Sequence, residues 1–531
     1  MLILYNANIY APGQPPASAL AVDKGRFVAI GKDEELLNGF PNADRNIDMR
    51  GNTIWPGLID AHVHLLKLAQ SMDVINCETD SPGECLAQVQ NASRGLPPGA
   101  WIRGHGWNQN RWTSGFGTAE QLDAVCARHP AYLTAKSLHA AWVNSAALAM
   151  AGIDNETPDP PKGSIQRDQH GKPTGILFEM DAMSMVESII PQPTPSELAR
   201  QIEAVIPKLW ELGVVGVHDF DSLDCWKVLQ ELHQRRKLKI RVRKNIPYNN
   251  LDVLLESGLR TDFGDDWLHL GSLKLFADGA LGPRTAAMHQ PYENSNERGL
   301  LLLKEADIVD IGQQAVSSGI ALAVHAIGDR ANHVVLNAFD RLRQFERTHG
   351  LLHLQHRIEH VQIIHQDDLP RFAQLDIIAS VQPVHAPSDM YISDQQLGDR
   401  AKYAYTFRSL LANKAMLVFG SDAPVESVNP FLGIHAAVTR QRVDGTPGKN
   451  GWHADQRLSL SESVRGFSQM PALVAKRGSH LGRIIPGYKA DFIILREDPF
   501  SIEPNLLHTI KPLATFIEGE CLYHSAEFSF D

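Results

Sequence analysis

The residues of this chain that could do chemistry begin with two histidines, His62 and His64, two positions apart. They follow an apolar run, Thr53 to Trp55, and a Pro-Gly break. Residues two apart on a β-strand point to the same face, so a strand here would direct both imidazoles toward one point. Such a pair can begin a metal site, and it also occurs as ordinary surface or core histidines.

A second segment places a lysine where an apolar strand would bury it. In the run 271–282, alternation puts Ser272, Lys274, Phe276 and Asp278 on one face and apolar residues on the other. If the apolar face packs on helices, Lys274 points into the interior, where desolvating an ammonium is costly. The segment alone leaves two interpretations open, a functional lysine and a structural Lys274–Asp278 ion pair.

Three more polar residues, His325, His360 and Asp422, stand where apolar runs end. Had residues 356–360 been helical, His356 and His360 would form their own i, i+4 metal pair, but the surrounding β-branched residues favour a strand. Each residue alone is typical of a structural position. Together with the earlier ones they offer imidazoles and a carboxylate without thiolates, a set that suits zinc or a similar divalent ion.

The elements that must position these residues are eight predicted strands. Apolar β-type runs lie around His62 and over residues 213–218, 238–243, 269–276, 321–325, 357–362, 377–382 and 416–419. Helical patterns lie between them, the clearest from the capping box Thr194-Pro-Ser-Glu197 to Gly213. This alternation predicts an α/β fold with a (β/α)₈ TIM-type barrel, whose active site would lie at the carboxyl ends of the strands.

The rest of the chain divides around this barrel. We expect 1–53 and 480–531, both built of short strands and turns, to form one small β-sandwich domain, and 54–479 to form the barrel domain. Residues 70–190 are a long insertion after the first barrel strand, rich in Gly, Pro, Trp and Asn. Because its aromatic content argues against disorder, we expect a lid or pocket wall.

Composition excludes several classes of function. The 531 residues are 43% apolar and 21% charged, as in ordinary soluble proteins, and the net charge of −11 argues against nucleic acid as a main partner. Five cysteines without C-x-x-C spacing predict no disulfide framework. The sequence shows no signal-peptide pattern and no membrane-spanning run, so we expect a cytoplasmic protein with a small-molecule substrate, away from membranes. Whether it forms a homo-oligomer stays open at this point.

Taken together, the motifs resemble the amidohydrolase superfamily, in the branch that includes N-substituted formamide deformylase (amidohydrolase family 3). The matching elements are Pro56–His64, Lys274 with Asp278-Gly279, Val324–Asp329, Ile358–His360, Gly420–Pro424 and Pro486–Asp491. Segments of the insertion also match, namely Gly106–Asn108, His139 with Trp142–Asn144, and Lys172–Gly175. The likeness extends from the first barrel strand to the end of the chain.

The resemblance implies a binuclear metal site with two zinc ions as the expected cofactors. The implied ligands are His62, His64, Lys274, His325, His360 and Asp422. The first strand's histidines and Asp422 would hold one ion, the two later histidines the other, and a carboxylated Lys274 would bridge them. A bridging hydroxide would attack a carbonyl carbon, with Asp422 as the catalytic general base.

The implied activity is that of a metal-dependent amidohydrolase, which cleaves non-peptide carbon–nitrogen bonds of small amides, formamides or cyclic amides. The same hydroxide would also serve an ester, lactone or phosphotriester hydrolase. A mononuclear deaminase would leave Lys274 without a role. An inactive regulatory or binding homologue would lack a ligand, and none of the six is missing.

Further residues are expected to contact the substrate. They are Trp107, Asn108, His139, Glu179, Asp278 and Arg284. For Arg284 two interpretations stay open, a site for a substrate carboxylate and an ordinary salt bridge.

Overall fold

The computed structural model describes residues 1–112, 115–191 and 193–530. At its centre eight strands form one sheet in which every pair is parallel and neighbours follow chain order. These barrel strands, numbered in chain order, are β1 Leu58–Val63, β2 Val214–Asp219, β3 Arg241–Pro247, β4 Leu268–Phe276, β5 Leu322–Ala326, β6 Arg357–His360, β7 Ile378–Val381 and β8 Met416–Phe419. The predicted (β/α)₈ TIM-type barrel is confirmed.

The sheet closes into a barrel between its first and last strands. Val63 of β1 forms a parallel bridge with Ala423, just beyond β8. The Asp422 N–H donates to the His62 carbonyl over 2.8 Å. This closure is what sets His62 beside Asp422, although the two are far apart in the sequence.

Asp60 reinforces the same seam from inside. Its carboxylate is fully buried and accepts the backbone N–H groups of His62, at 3.0 Å, and of Ser421, at 3.1 Å. Burial raises the pKa of Asp60 to about 7, and these hydrogen bonds act against that rise. One side chain therefore joins the first and last strands next to the predicted ligands.

Helices surround the barrel and connect its strands. The helix predicted after Thr194 spans Pro195–Glu211, and the Thr194 hydroxyl accepts the Glu197 N–H as the capping box requires. The α-helices after the barrel strands are Leu65–Ser71, Pro195–Glu211, Leu223–Gln234, Leu251–Ser257, Glu305–Ser317, Asp329–Thr348, Arg371–Gln374, His385–Ser388, Met390–Leu397, Phe407–Ala412, Pro430–Thr439, Leu460–Gly466 and Gln469–Val474. Within the described part of the chain, no helix combines the length and apolar character that a bilayer span requires.

Two further sheets are built from the ends of the chain, the first from N-terminal strands and the second from strands of both ends. One is formed by Leu2–Tyr5, Ala19–Asp23, Arg26–Gly31 and Arg45–Asp48, and the other by Asn8–Ile9, Thr53–Pro56, Phe492–Leu495, Pro512–Ile517 and Glu520–His524. The sheets share one apolar core, in which Leu4 and Phe27 meet Phe492 and Phe516. The final residue, Asp531, lies outside the described residues.

A buried ion pair fixes these sheets to the barrel. Arg241 of β3 donates two hydrogen bonds to the Asp491 carboxylate, at 2.6 and 2.9 Å. Both side chains are 5% exposed. Asp491 also accepts the Glu518 N–H at 2.9 Å, so it connects two strands of the outer sheet with one strand of the barrel.

The insertion is a folded layer with a sheet of its own. Its strands are Ile75–Asn76, Ile102–Trp107, Ala131–Ala135, Ala140–Val143, Ser164–Arg167 and Pro173–Phe178, and its helices are Pro82–Ser93, Ala119–Cys126, Ser145–Met150 and Glu179–Glu187. Trp107, Trp112 and Trp142 lie in its main core. Thr113 and Ser114 fall outside the described residues.

Candidate metal centre

The residues predicted as metal ligands meet at the carboxyl ends of the barrel strands. Nε2 of His62 and Nε2 of His64 each lie 3.4 Å from Oδ1 of Asp422. One ligand atom each from His62, His360 and Asp422 fall within 4.8 Å of one another. His325 completes the group, since its ring centroid is 4.6 Å from that of His360.

Local backbone structure differs between these residues. His62 lies inside β1, whereas His64 is the residue before the helix Leu65–Ser71, so the two do not share a regular strand. His360 and Asp422 adopt left-handed backbone conformations, with φ of 77° and 60°. Such conformations are unfavourable for side-chain-bearing residues and concentrate at functional sites, where surrounding structure holds them.

Each of the first two histidines is held by a carboxylate on one ring nitrogen. Nδ1 of His62 lies 2.6 Å from Glu359, and Nδ1 of His64 lies 3.3 Å from Asp221. With the proton assigned to Nδ1, which donates to the carboxylate, Nε2 keeps its lone pair. Both Nε2 atoms are the ones that face Asp422.

The two later histidines are held in a comparable way. Nδ1 of His360 lies 2.9 Å from the Gln382 side-chain oxygen, and Nε2 of His325 lies 3.0 Å from the Gly279 carbonyl. The remaining nitrogens are Nε2 of His360 and Nδ1 of His325. Outer partners of this kind fix the ring orientation of metal-binding histidines.

Burial keeps three of the four imidazoles neutral, and a neutral imidazole is the form that binds a cation. Burial lowers the pKa of His62 to about 4, and it lowers the pKa of His325 and of His360 well below the ordinary value. Burial would lower the pKa of His64 too, but the neighbouring carboxylates of Asp221 and Asp422 raise it above 6.5.

Asp422 keeps its negative charge. Burial alone would raise the pKa of its carboxyl group, but the neighbouring imidazoles hold it well below the usual range. Its Oδ1 and the Nε2 of His62 are both buried and hydrogen-bonded to nothing in the described part of the chain. Two buried acceptors that face each other without a proton donor fit a divalent cation between them.

A comparison of two buried lysines sets Lys274 apart. Lys244 of β3 donates to the Asp219 carboxylate at 2.8 Å and to the carbonyls of Asp221 and Asn245. Lys274 of β4 is 2% exposed, yet within the described residues its Nζ has no ion pair within 4.0 Å and no hydrogen bond. Its Nζ lies 4.8 Å from the centroid of the Phe220 ring, and burial lowers its pKa to about 8.

The alternative of a Lys274–Asp278 ion pair does not match this geometry. Asp278 is fully buried, and its carboxylate accepts the backbone N–H groups of Ile327, Gly328 and Ala287 at 2.8 to 3.0 Å. It therefore shapes the segment that follows His325. We interpret Asp278 as a positioning residue, in place of the predicted substrate contact.

A second acidic group is already occupied by protein donors. Asp219, Asp221 and Cys225 lie close enough to share an ion. However, Asp219 binds Lys244 and the Leu65 N–H, and Asp221 accepts the N–H of Leu66 at 2.5 Å. These carboxylates cap the helix that begins after His64, and Asp221 also contacts the His64 ring directly.

Two of the predicted substrate contacts reach the metal centre from the insertion. Nδ1 of His139 lies 2.8 Å from Glu179, and Glu179 accepts the Thr285 hydroxyl at 2.7 Å. The His139 ring centroid is 5.8 Å from that of His325. Burial would lower the pKa of His139, but Glu179 raises it above its ordinary value.

The insertion also touches the other side of the barrel mouth. Nε2 of His105 lies 3.2 Å from the Pro424 carbonyl, and Lys136 pairs with Glu426 at 3.1 Å. Both partners belong to the loop after β8. The insertion thus contacts the barrel mouth beside Asp422 as well as beside His325.

The remaining three residues predicted to contact the substrate are Trp107, Asn108 and Arg284. Trp107 is excluded from water, and its indole N–H donates to the Leu133 carbonyl at 2.7 Å, so we assign it to the insertion core. The Asn108 side chain accepts the Asn110 N–H in a local turn. Arg284 is half-buried and forms no ion pair within the described residues, so its predicted role stays a prediction.

Sequence reasoning missed the partners that orient the ligands, Glu359 and Gln382 above all. A signal was present for Glu359, because a carboxylate inside the apolar β6 segment can only be buried with a partner. It also missed His385, which is 6% exposed with its ring parallel to that of His360 at 6.5 Å. Nothing in the sequence distinguishes His385 from other loop histidines.

A (β/α)₈ barrel with imidazoles and a carboxylate gathered at its carboxyl end defines a metal-dependent hydrolase. The model of the amidohydrolase family matches residues 45–523. The chain therefore belongs to the amidohydrolase family.

Known proteins are similar along nearly the whole chain. The protein LONG AFTER FAR-RED 3 of Arabidopsis thaliana is 31% identical over 98% of this chain and 91% of its own length. The N-substituted formamide deformylase of Arthrobacter pascens is 27% identical over 98% of both chains. A crystal structure of an uncharacterized metal-dependent hydrolase from Pyrococcus horikoshii, 28% identical, superposes with a TM-score of 0.77 over 95% of this chain and 99% of its own.

Proposed function

We propose that this metal-dependent hydrolase cleaves a non-peptide carbon–nitrogen bond in a small amide, formamide or cyclic amide. The observation that carries the proposal is the arrangement of the four histidines, each held on one nitrogen and open on the other, around an ionised Asp422. The similar N-substituted formamide deformylase supports this choice of bond.

The residues present fit a pair of divalent ions, for which zinc is our proposal. His62, His64 and Asp422 would hold one ion, and His325 and His360 the other. When bound, the metals would polarise the substrate carbonyl and lower the pKa of water so that hydroxide is available near neutral pH. Imidazoles and carboxylate without thiolate suit zinc.

Lys274 would complete the site as a carbamate. A buried amine without a hydrogen-bond partner, whose pKa lies near 8, is largely available as the neutral nucleophile in mildly alkaline solution. Its nitrogen would bond to the carbon of carbon dioxide and release one proton, which leaves an anionic carboxylate between the metal sites. An anion there also removes the cost of an unpaired buried ammonium.

Asp422 would move the proton during hydrolysis. It would accept a proton from the attacking water and deliver it to the leaving nitrogen as the carbon–nitrogen bond breaks, so that acid and amine are released. His139, oriented by Glu179, would contact the substrate from the insertion side. Asp422 is available to accept a proton because the neighbouring imidazoles lower its pKa and keep its carboxylate ionised.

Metal content tests the site. Purified protein should contain two ions per chain, and His62→Ala and Lys274→Ala should contain one or none. His353→Ala is the matched control, because this exposed histidine pairs with Asp376 and with none of the proposed ligands in the described part of the chain. Active protein without metal would contradict the proposal.

A substrate panel tests the bond. We expect amine release from N-formyl amines or N-acyl amino acids, and slower or no turnover of lactones and phosphotriesters. If a lactone or phosphotriester were turned over faster than the amides, the proposed bond would be wrong, although the proposed metal site would still stand. No turnover of any compound by metal-loaded protein would favour a regulatory role.

A further inference from the structure

Four rings lie in a row at the barrel mouth, with an apolar phenyl ring, Phe276, at one end and an imidazole, His385, at the other. The ring centroids are 5.2 Å apart from Phe276 to His325, 4.6 Å from His325 to His360, and 6.5 Å from His360 to His385. The two middle rings belong to the proposed metal site. The two outer ones have no role in the mechanism above.

Phe276 is an accessible apolar surface inside the catalytic mouth. It is the last residue of β4, and it is 40% exposed although the other eight residues of that strand are buried. Alternation places it on the same face as Lys274, whose Nζ lies 4.9 Å from the ring centroid. A phenyl ring in this position offers its uncovered area to whatever occupies the mouth.

His385 presents a polar atom at the other end of the row. Its side chain is 6% exposed, and its Nε2 is buried without a hydrogen-bond partner in the described part of the chain. A buried polar nitrogen left unsatisfied is costly, so a ligand group that bonds to it would gain more affinity than at an exposed histidine.

Two acidic groups near this end already have partners. Asp389 accepts the Tyr405 hydroxyl at 2.6 Å. Glu426 accepts the Ser388 hydroxyl at 2.5 Å and pairs with Lys136. Gln382, like His385, has a buried Nε2 without a hydrogen-bond partner within the described residues, but its side-chain oxygen is held at Nδ1 of His360. Of the two, His385 is the one whose ring continues the row.

We propose that the substrate lies across His325 and His360, with an apolar substituent on Phe276 and a hydrogen-bonding group, such as a hydroxyl or a carbonyl, at His385. The substrate class is therefore an amide that is apolar on one side of the scissile bond and polar on the other. This inference rests on the proposed function, because it takes the amide to be the group that lies at the metal site.

The apolar half is tested with two amides that differ only in a phenyl or a methyl substituent. For Phe276→Ala we expect kcat/KM for the phenyl compound to fall about tenfold, mainly through KM, and the methyl compound to change less than twofold. Phe276→Leu should recover part of the loss. Phe263→Ala, at a 64% exposed phenylalanine before β4, is the control and should change neither value.

The polar half is tested with amides that carry or lack a hydroxyl at the opposite end. For His385→Ala we expect kcat/KM for the hydroxyl compound to fall about tenfold, with metal content unchanged and the other compound little affected. His385→Gln, which keeps a hydrogen-bonding group, should restore part of the activity. Equal losses for both members of a pair would overturn the inference for that residue.

Calorimetric titration of the same compounds into metal-loaded protein separates the two proposals. Wild-type protein that binds the phenyl and hydroxyl amides more tightly but hydrolyses none would refute the proposed function and support the inference. Wild-type protein that hydrolyses amides but shows no preference within either pair would support the proposed function and refute the inference.

Discussion

At the scale of single residues, the metal centre depends on groups that hold the ligands in one orientation. Glu359 is fully buried and accepts hydrogen bonds from Nδ1 of His62 and from Arg357. Burial would raise the pKa of Glu359, but Arg357 and His62 hold it well below the usual range. Arg357 donates in turn to the Ala61 carbonyl, which lies next to His62.

We predict that Glu359→Gln weakens metal binding about 10- to 100-fold, because the ring of His62 loses the charge that fixes its tautomer. Competition with a chelator of known affinity measures the change. Glu305→Gln, which alters an exposed carboxylate paired with Arg341, is the control. Metal affinity equal to that of the wild type would show that Glu359 does not orient His62.

We predict that His139→Ala leaves metal content unchanged and lowers kcat/KM about tenfold or more, because the imidazole faces the site but lies outside the proposed ligand set. Glu179→Gln should have a smaller effect in the same direction, since it loosens His139 without removing it. Steady-state kinetics and metal analysis of both variants check this. Loss of metal in His139→Ala would assign this residue to the metal site.

At the scale of elements, the loops after the strands set the site as much as the strands do. The Asp278 carboxylate gathers backbone N–H groups from two loops, the one after β4 through Ala287 and the one after β5 through Ile327 and Gly328. His325 lies in β5, one residue before that strand ends and the second loop begins. The position of its ring therefore depends on Asp278.

We predict that Asp278→Ala lowers the free energy of unfolding by about 3 kcal/mol or more, because three buried N–H groups lose their acceptor. Urea denaturation and metal analysis should both show a loss. If Asp278 instead contacted substrate, the variant would keep its stability and show a raised KM.

A second buried network lies at the amino ends of β5 and β6, opposite the metal centre. Glu346 pairs with Arg343 at 2.7 Å and with Nε2 of His356 at 3.1 Å. The Nδ1 of His356 accepts the N–H of Leu322 at the start of β5. Burial would raise the pKa of Glu346, but His356 and Arg343 lower it below its ordinary value of 4.5.

We predict that Glu346→Gln lowers the free energy of unfolding by about 3 kcal/mol at pH 7, since it breaks a buried pair. Because the folded state lowers the pKa of Glu346, its contribution is fully present above 4.5 and is lost below 4.5, as the pH falls through the lower pKa of the folded state. The difference between wild type and variant should therefore shrink below pH 4.5 in denaturation curves. A difference in unfolding free energy that does not change with pH would show that Glu346→Gln acts through packing and not through charge.

Particular residues show how far the sequence predicts these elements. The barrel follows from runs of buried apolar residues, and those runs are visible without a structure. The third strand was predicted over 238–243 but spans Arg241–Pro247, because Lys244 and Asn245 satisfy their polar groups inside the barrel and so conceal the strand. The insertion's sheet was not predicted, since frequent Gly and Pro interrupt its short strands.

The candidate site, like the fold, could be predicted in part from the sequence. Residue types at the predicted strand ends were sufficient to place the six proposed ligands in one site. The contacts that Glu359, Gln382 and Gly279 make with the histidines could not be predicted, because each joins segments that meet only when the strands pair into the barrel. Trp107 looked like a pocket residue, yet its ring fills a core that exists only once the insertion has folded.

At the scale of the whole molecule, the barrel and the outer sheets are joined through Arg241 and Asp491. We predict that Asp491→Asn lowers the free energy of unfolding by about 3 kcal/mol, because it removes the charge of the bidentate partner and leaves the buried guanidinium with the Glu518 carboxylate at 3.3 Å. Denaturation monitored by tryptophan fluorescence measures it. Asp498→Asn, which alters an exposed turn carboxylate, should have no effect.

The seam between β1 and β8 also affects how the protein is made. His62 leaves the ribosome long before Asp422, and at about 5–20 residues per second their synthesis is separated by tens of seconds. Until β8 emerges, the barrel cannot close, and His62 and His64 have no carboxylate between them. The outer sheet is completed still later, by Glu520–His524. Metal uptake should therefore follow, not accompany, most of translation, so nascent chains would compete poorly for scarce ions.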